Sequence, residues 1–214
     1  MTRRLGCFGG TFDPVHQAHL RMARAFRDEL GLDEVRLIPA GQPYHRTAGP
    51  QASAQDRLAM VTLALADEPG LVADGREVAR LRPAYTVETL AELRSEIGPQ
   101  AELWCLIGGD SLEQLDTWHR WQDLLRLANI AVALRPGFDA ERLPPAVATE
   151  WQARQVTDFS KRTPSGTMRP LALPPVDVSA TDIRSRLARG ASVADALPPA
   201  VAAYIARHGL YRTP

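Results

Sequence analysis

Residues 103–107 (LWCLI) are apolar at every position, which in a strand means that both faces are covered. They form one of six strand-like stretches, at 5–8, 34–39, 71–72, 103–107, 130–134 and 176–178. Between them, apolar residues recur at helical spacing: Leu20, Ala23, Phe26 and Leu30, then within 52–66, 86–97, 118–127 and 181–188. Such alternation predicts an α/β chain, with a mostly parallel sheet and helices on both faces. The 214 residues suit one domain, 1–214, with a small helical part from about 177 to 214. Residues 154–170 are polar and rich in turn formers, so they read as a mobile loop. Ligands of such sheets bind beyond the carboxyl ends of the strands, which directs attention to the turns after strands one, two and four.

The first of these turns holds the densest concentration of special residues, CFGGTFDPVHQAHL at 7–20. Gly9 and Gly10 have no Cβ, so the backbone through Thr11 and Phe12 can approach a ligand closely. The helix start that follows offers unpaired N–H groups and partial positive charge, which suit an anion. His16 and His19 are expected in that helix's first turns, with Asp13 as cap and Pro14 at the first position. Capping alone accounts for Asp13 and Pro14 and leaves two surface histidines. On the residues alone, a phosphate site and a plain capped helix both stand. G-x-G-x-x-G and the Walker lysine are absent, which removes the ordinary dinucleotide and P-loop readings. No metal site is expected, because H-E-x-x-H spacing is missing.

Three further stretches fall where ligands are expected. IGGDSL (107–112) repeats a glycine pair, Gly108 and Gly109, ahead of Asp110. That acid can accept from ribose hydroxyls, help hold a hydrated metal, or simply cap a turn. DTWHRW (116–121) sets Trp118 and His119 in a polar turn, where an indole can stack on a planar ring or join the core. VSATDIRSRL (178–187) has Ser179 and Asp182 at the spacing of a reciprocal cap. The cap does not account for Thr181 and Arg184, and a guanidinium at a helix start can fork onto phosphate oxygens. PYHR (43–46), with His45 and Arg46, is a solvated loop by itself and a second cation if the other anion sites are real. Globally, 25 basic residues balance 25 acidic ones, so no field favours nucleic acid or membrane. Cys7 and Cys105 lie in apolar runs and read as core thiols of a cytoplasmic protein, and nothing at the start resembles a targeting segment.

Taken together, GGTFDPVHQAH and SATDIR resemble the two signatures of the H-x-G-H nucleotidyltransferase superfamily. PYHR, RLAM (57–60), AYTVETL (84–90), GGDSL, TWHRW and the ending LPPAVAAYIARHGLY are similar to bacterial nicotinate-nucleotide adenylyltransferases. The likeness runs from about Leu5 to Tyr211. One departure is Ala18, where the family usually has glycine.

The resemblance implies a Rossmann-like, doubly wound fold. It implies transfer of AMP from ATP, with Mg²⁺, to nicotinate mononucleotide, giving nicotinate adenine dinucleotide and pyrophosphate. His16, His19, Arg46 and Arg184 would carry the chemistry. Gly9, Gly10, Thr11, Phe12, Gly108, Asp110, Ser179 and Thr181 would join His16, His19 and Arg184 around ATP. Thr11, His45, Arg46, Tyr85, Thr86, Trp118 and His119 would hold the mononucleotide, the indole of Trp118 stacking on its ring. The protein is expected to act as a monomer or weak homo-oligomer. Two other readings stay open at this stage. One is a sister transferase acting on phosphopantetheine or using CTP on an alcohol phosphate. The other is a nucleotide-binding regulatory module without catalysis.

Overall fold

Six strands form one sheet in the order β3-β2-β1-β4-β5-β6. The computed structural model describes residues 3–42, 49–134, 137–156, 162–171 and 178–212. The strands are β1 (Arg4–Gly10), β2 (Glu34–Pro39), β3 (Leu71–Ala73), β4 (Glu102–Gly108), β5 (Asn129–Ala133) and β6 (Met168–Leu171). Helices are α1 (Gln17–Leu30), α2 (Ala54–Ala64), α3 (Thr86–Ile97), α4 (Gly109–Leu112), α5 (Trp121–Leu127), α6 (Pro145–Arg154), α7 (Ala180–Ala188) and α8 (Pro199–His208). β1 pairs with β4, β4 with β5 and β5 with β6, each in parallel. The order reverses between β1 and β4, so the switch point lies where those two strands end, at Gly9–Gly10 and Gly108. Among the described residues, no helix is long and apolar enough to cross a membrane.

The chain divides into two compact units. The first comprises Met1–Gly9, Ala25–Val35 and Tyr85–Pro175; the second comprises Gly10–Arg24, Arg36–Ala84 and Val176–Pro214. In the first unit, a Cβ on Gly6 would fall 2.6 Å from the Phe26 ring, so this position lets α1 lie directly on β1. β4 is buried from Glu102 to Ile107, as its apolar run predicts. Cys7 and Cys105 are buried, not joined in a disulfide, and in register with each other. Arg94 binds the unit together by donating to the carbonyls of Gly98, Ala101, Leu127 and Pro164 at 2.6–3.0 Å.

The expected loop at 154–170 is in part regular structure. α6 ends at Arg154 and β6 begins at Met168, while 157–161 lie outside the described residues. β6 is short and contains Pro170, which an edge strand tolerates and a central one does not. It is held from β5 by Asn129, fully buried, whose Oδ1 accepts from the Thr167 N–H and hydroxyl at 3.0 and 2.7 Å. On the outer side of β6, the Val156 N–H donates to the Met168 carbonyl at 3.1 Å. Of the strand expected at 176–178, the first two residues lie outside the described set and Val178 is not in a strand. β6 takes the sixth place instead.

In the second unit, Ser53 caps α2: its Oγ accepts from the Asp56 N–H at 3.1 Å and donates to the Asp56 carboxylate at 2.6 Å. α8 packs on α2, burying Val201 and Ile205 with Met60 and Val61. The Tyr204 hydroxyl of α8 donates to Asp56 Oδ1 at 2.8 Å.

Candidate active site

The turn after β1 begins with two glycines of different purpose. A Cβ on Gly9 would meet nothing within 4 Å, so open space lies beside the backbone there. A Cβ on Gly10 would stand 2.9 Å from the Phe12 ring, so Gly10 lets that ring fold inward. Phe12 takes a positive φ of 50°, is buried, and meets the His19 ring edge-on at 5.0 Å between centroids.

The histidines are not placed as expected. α1 begins at Gln17, so His16 precedes the helix and only His19 lies in its first turn. Neither Asp13 nor Pro14 caps it; their shared peptide is cis, in a turn ahead of the helix. The Asp13 carboxylate, 3% exposed, is claimed elsewhere. Oδ2 accepts from the Gln51 N–H at 2.9 Å, and Oδ1 from the Ala52 N–H at 3.1 Å and the Tyr211 hydroxyl at 2.7 Å. A carboxylate so buried needs several donors, and these three supply them.

His16 and His19 form a stacked pair, with centroids 3.8 Å apart and planes inclined by 26°. The His16 backbone N–H donates to His19 Nδ1 at 3.2 Å, which puts the proton of neutral His19 on Nε2. Burial lowers the His16 pKa to about 4. Burial, and then the neighbouring His16, hold His19 well below the usual histidine value. Near pH 7 both rings are therefore neutral hydrogen-bonding groups. His16 Nδ1 is buried with no hydrogen-bond partner among the described residues.

This sets the sign of an acid effect. Below about pH 6.5 the unfolded chain protonates His16 and His19 while the folded one does not, so stability falls as pH drops from about 6.5 towards 4. His16 alone removes roughly 2 kcal/mol between about pH 7 and pH 4.5. Urea unfolding at both pH values is expected to show a smaller loss for His16→Gln than for wild type. Equal losses would mean that His16 titrates normally in the fold.

Arg184 in α7 donates from Nη1 to the Asp13 carbonyl at 2.7 Å and from Nη2 to Thr181 Oγ1 at 3.3 Å. Three of its five N–H groups have no partner among the described residues. Ser179 caps α7, its Oγ accepting from the Asp182 N–H at 3.1 Å. The expected return bond from Asp182 is replaced by an ion pair with Arg186 at 3.6 Å. The structure thus joins the histidine turn to the distal motif through Asp13 and Arg184.

Arg57 was legible only as part of RLAM. It is 1% exposed and donates to the carbonyls of Thr11 at 2.7 Å and Gly41 at 3.2 Å. It thereby ties the turns after β1 and β2 together. No sequence pattern distinguishes such a guanidinium from an exposed arginine on a helix. His45 and Arg46 lie outside the described residues.

A second group belongs to the first unit. Tyr85 and His119 face one another with ring centroids 4.4 Å apart. Thr86 opens α3, where no side chain caps the helix, and its N–H has no partner among the described residues. His119 does not open a helix as expected: α5 starts at Trp121, after Arg120 in a left-handed conformation. A turn closed by the Trp121 N–H on the Trp118 carbonyl at 3.2 Å presents Trp118 and His119 instead. Trp118 is half-buried and His119 exposed. At the end of β4, a Cβ on Gly108 would meet nothing within 4 Å, and Asp110 is exposed in α4.

The chain is similar to proteins of one described activity. The family model for cytidylyltransferase-like proteins matches residues 7–186. A protein of Chromobacterium violaceum described as "probable nicotinate-nucleotide adenylyltransferase" is 66% identical, over 99% of this chain and 100% of its own length. One of the same description from Laribacter hongkongensis is 61% identical, over 98% and 94%. In three dimensions, the Plasmodium falciparum nicotinic acid mononucleotide adenylyltransferase complexed with NaAD superposes with a TM-score of 0.74 at 14% identity, covering 98% of this chain and 97% of that one. That last likeness speaks to the fold. The chain belongs to the cytidylyltransferase-like nucleotidyltransferases and, within them, to the bacterial nicotinate-nucleotide adenylyltransferase family.

Proposed function

We infer that this protein transfers the adenylyl group of ATP to nicotinate mononucleotide in the bacterial cytoplasm, yielding nicotinate adenine dinucleotide and pyrophosphate. A phosphate oxygen of the mononucleotide attacks the α-phosphorus of ATP. The bond from that phosphorus to the bridging oxygen breaks, and its electron pair leaves with pyrophosphate. A phosphate monoester with a second pKa near 6 is mostly ionised at pH 7, so the step needs no strong base. One observation carries the reading: the second unit assembles hydrogen-bond donors where a base or nucleophile would otherwise stand. The imidazoles of His16 and His19 are neutral near pH 7, and three N–H groups of Arg184 have no partner among the described residues. Such an arrangement suits positioning and charge stabilisation in phosphoryl transfer.

Thr11, Ser179 and Thr181 add hydroxyls in the second unit; in the first, a Cβ on Gly9 or on Gly108 would meet nothing within 4 Å. Among the described residues, no three His, Cys, Asp or Glu side chains could together hold a metal ion. Magnesium belongs to the proposal only as the companion of the triphosphate oxygens. The buried cysteines, not joined in a disulfide, support a reducing compartment.

The test is pyrophosphate release from ATP or CTP with nicotinate mononucleotide, nicotinamide mononucleotide, phosphopantetheine and glycerol 3-phosphate. ATP with nicotinate mononucleotide is expected to lead. Preference for phosphopantetheine or for CTP would favour a sister transferase. No turnover with any pair, alongside tight ATP binding, would favour the regulatory module.

Arg184 offers a sharper check. Arg184→Ala is expected to raise the KM for ATP by roughly 10- to 100-fold, the range of a lost hydrogen bond to a charged group. Arg184→Lys should fall between, because lysine keeps the charge and loses the fork. The KM for the mononucleotide should change little. Equal damage to both substrates would make Arg184 a structural residue of the Asp13 turn alone.

A further inference from the structure

Building on the adenylyl-transfer reading, we propose that Tyr211 is a positioning residue for ATP: through Asp13, its phenol fixes the turn that presents His16, His19 and Arg184 to the triphosphate. The path of the chain carries this. α8 ends at His208 and is capped by Gly209, in a left-handed conformation, and the Leu210 N–H closes back on the Ile205 carbonyl at 3.1 Å. Tyr211 is itself left-handed, with φ of 62°, a conformation that bulky residues rarely adopt. The result is a buried ring whose hydroxyl reaches Asp13 Oδ1 at 2.7 Å. Burial and the Asp13 bond raise the phenol's pKa, so it remains a donor across the physiological range.

Asp13 is thus gripped from both ends. Its side chain takes Tyr211 and the two N–H groups before α2, and its carbonyl takes Arg184 Nη1 at 2.7 Å. Two residues earlier, the Thr11 carbonyl is fixed by Arg57 at 2.7 Å. Three residues later stands His16. Without the phenol, Oδ1 keeps only the Ala52 N–H among the described residues, and the turn is free to sample other arrangements. A triphosphate would then have to order the turn as it binds, which lowers affinity. The proposed acceptor residues Tyr85, Thr86, Trp118 and His119 belong to the other unit.

The same helix supplies a control. Tyr204 makes an equivalent phenol–carboxylate bond, to Asp56 at 2.8 Å, that does not involve the turn. Tyr211→Phe and Tyr204→Phe are compared in the full chain by melting, by calorimetric binding of a non-hydrolysable ATP analogue, and by steady-state kinetics. Both variants should melt earlier. Only Tyr211→Phe should bind the analogue about tenfold more weakly. It should also raise the KM for ATP while leaving that for nicotinate mononucleotide within about twofold.

Wild-type analogue affinity in Tyr211→Phe overturns the proposal. So does an equal loss in Tyr204→Phe, which would mean general loosening. If Tyr211→Phe does not fold, Asp13→Asn replaces it. That change puts an NH₂ in place of one carboxylate oxygen, so the bonds from Tyr211, Ala52 and Gln51 cannot all persist, and wild-type analogue affinity there is equally fatal. A wild-type chain that binds the analogue yet transfers no adenylyl group defeats the functional reading instead, and the binding comparison still decides the role of Tyr211.

Discussion

Replacing His19 by alanine is expected to lower kcat by about 10²-fold or more, with the fold intact. The neutral ring carries its proton on Nε2, because Nδ1 accepts the His16 N–H at 3.2 Å. A donor fixed in this way costs little reorganisation as charge develops on the α-phosphate and the departing pyrophosphate. Alanine removes that donor and leaves the His16 N–H without its acceptor. The two losses can be separated. His19→Asn can keep an acceptor near the Nδ1 position, whereas His19→Gln can place an NH₂ near Nε2. Glutamine is therefore expected to recover more activity than asparagine. Near-wild-type kcat in a folded His19→Ala protein would remove His19 from the chemistry.

The second large effect concerns the acceptor. Turnover is expected to favour nicotinate mononucleotide over nicotinamide mononucleotide by at least ~10²-fold in kcat/KM, or roughly 3 kcal/mol. The two differ by a carboxylate against an amide. Thr86 N–H, at the uncapped start of α3, and His119 N–H, in the turn before α5, have no partner among the described residues. Two such donors suit two carboxylate oxygens, and the dipole of α3 adds to the preference for an anion. An amide would set its NH₂ against one of them and leave both unsatisfied. The Trp118 ring can stack on either acceptor, so Trp118→Ala should weaken both and preserve the ratio. Comparable turnover of the two mononucleotides by wild type would show that these N–H groups do not read the carboxylate, whatever the fate of adenylyl transfer.

What could be read in advance followed the range of the forces involved. The boundaries of α3 and β2 match expectation because local periodicity and the neighbouring turns decide them. The buried β4 follows from its composition alone. Asp13 was misjudged because its partners are remote: Gln51, Ala52 and Tyr211 lie 38, 39 and 198 positions away. A capping signal is visible within four residues, whereas a competing set of distant donors is not. The start of α5 moved from 118 to Trp121 because Arg120 takes a left-handed conformation that no residue pattern announces. Arg57 escaped notice for a related reason. Its value lies in two carbonyls on separate turns, and the sequence around it reads as an ordinary amphipathic helix.

Pro170 has a consequence for how copies of this protein meet. Along β6 the Thr167 carbonyl faces inward to the Ile130 N–H, and the Met168 carbonyl faces outward to the Val156 N–H. Alternation then points residue 170 outward as well, and there proline has no hydrogen to offer. The exposed rim of the sheet is thus occupied at Met168 and lacks a donor two residues later. An incoming strand would find no continuous ladder on which to register, and growth of the sheet from one molecule into the next is blocked at that margin.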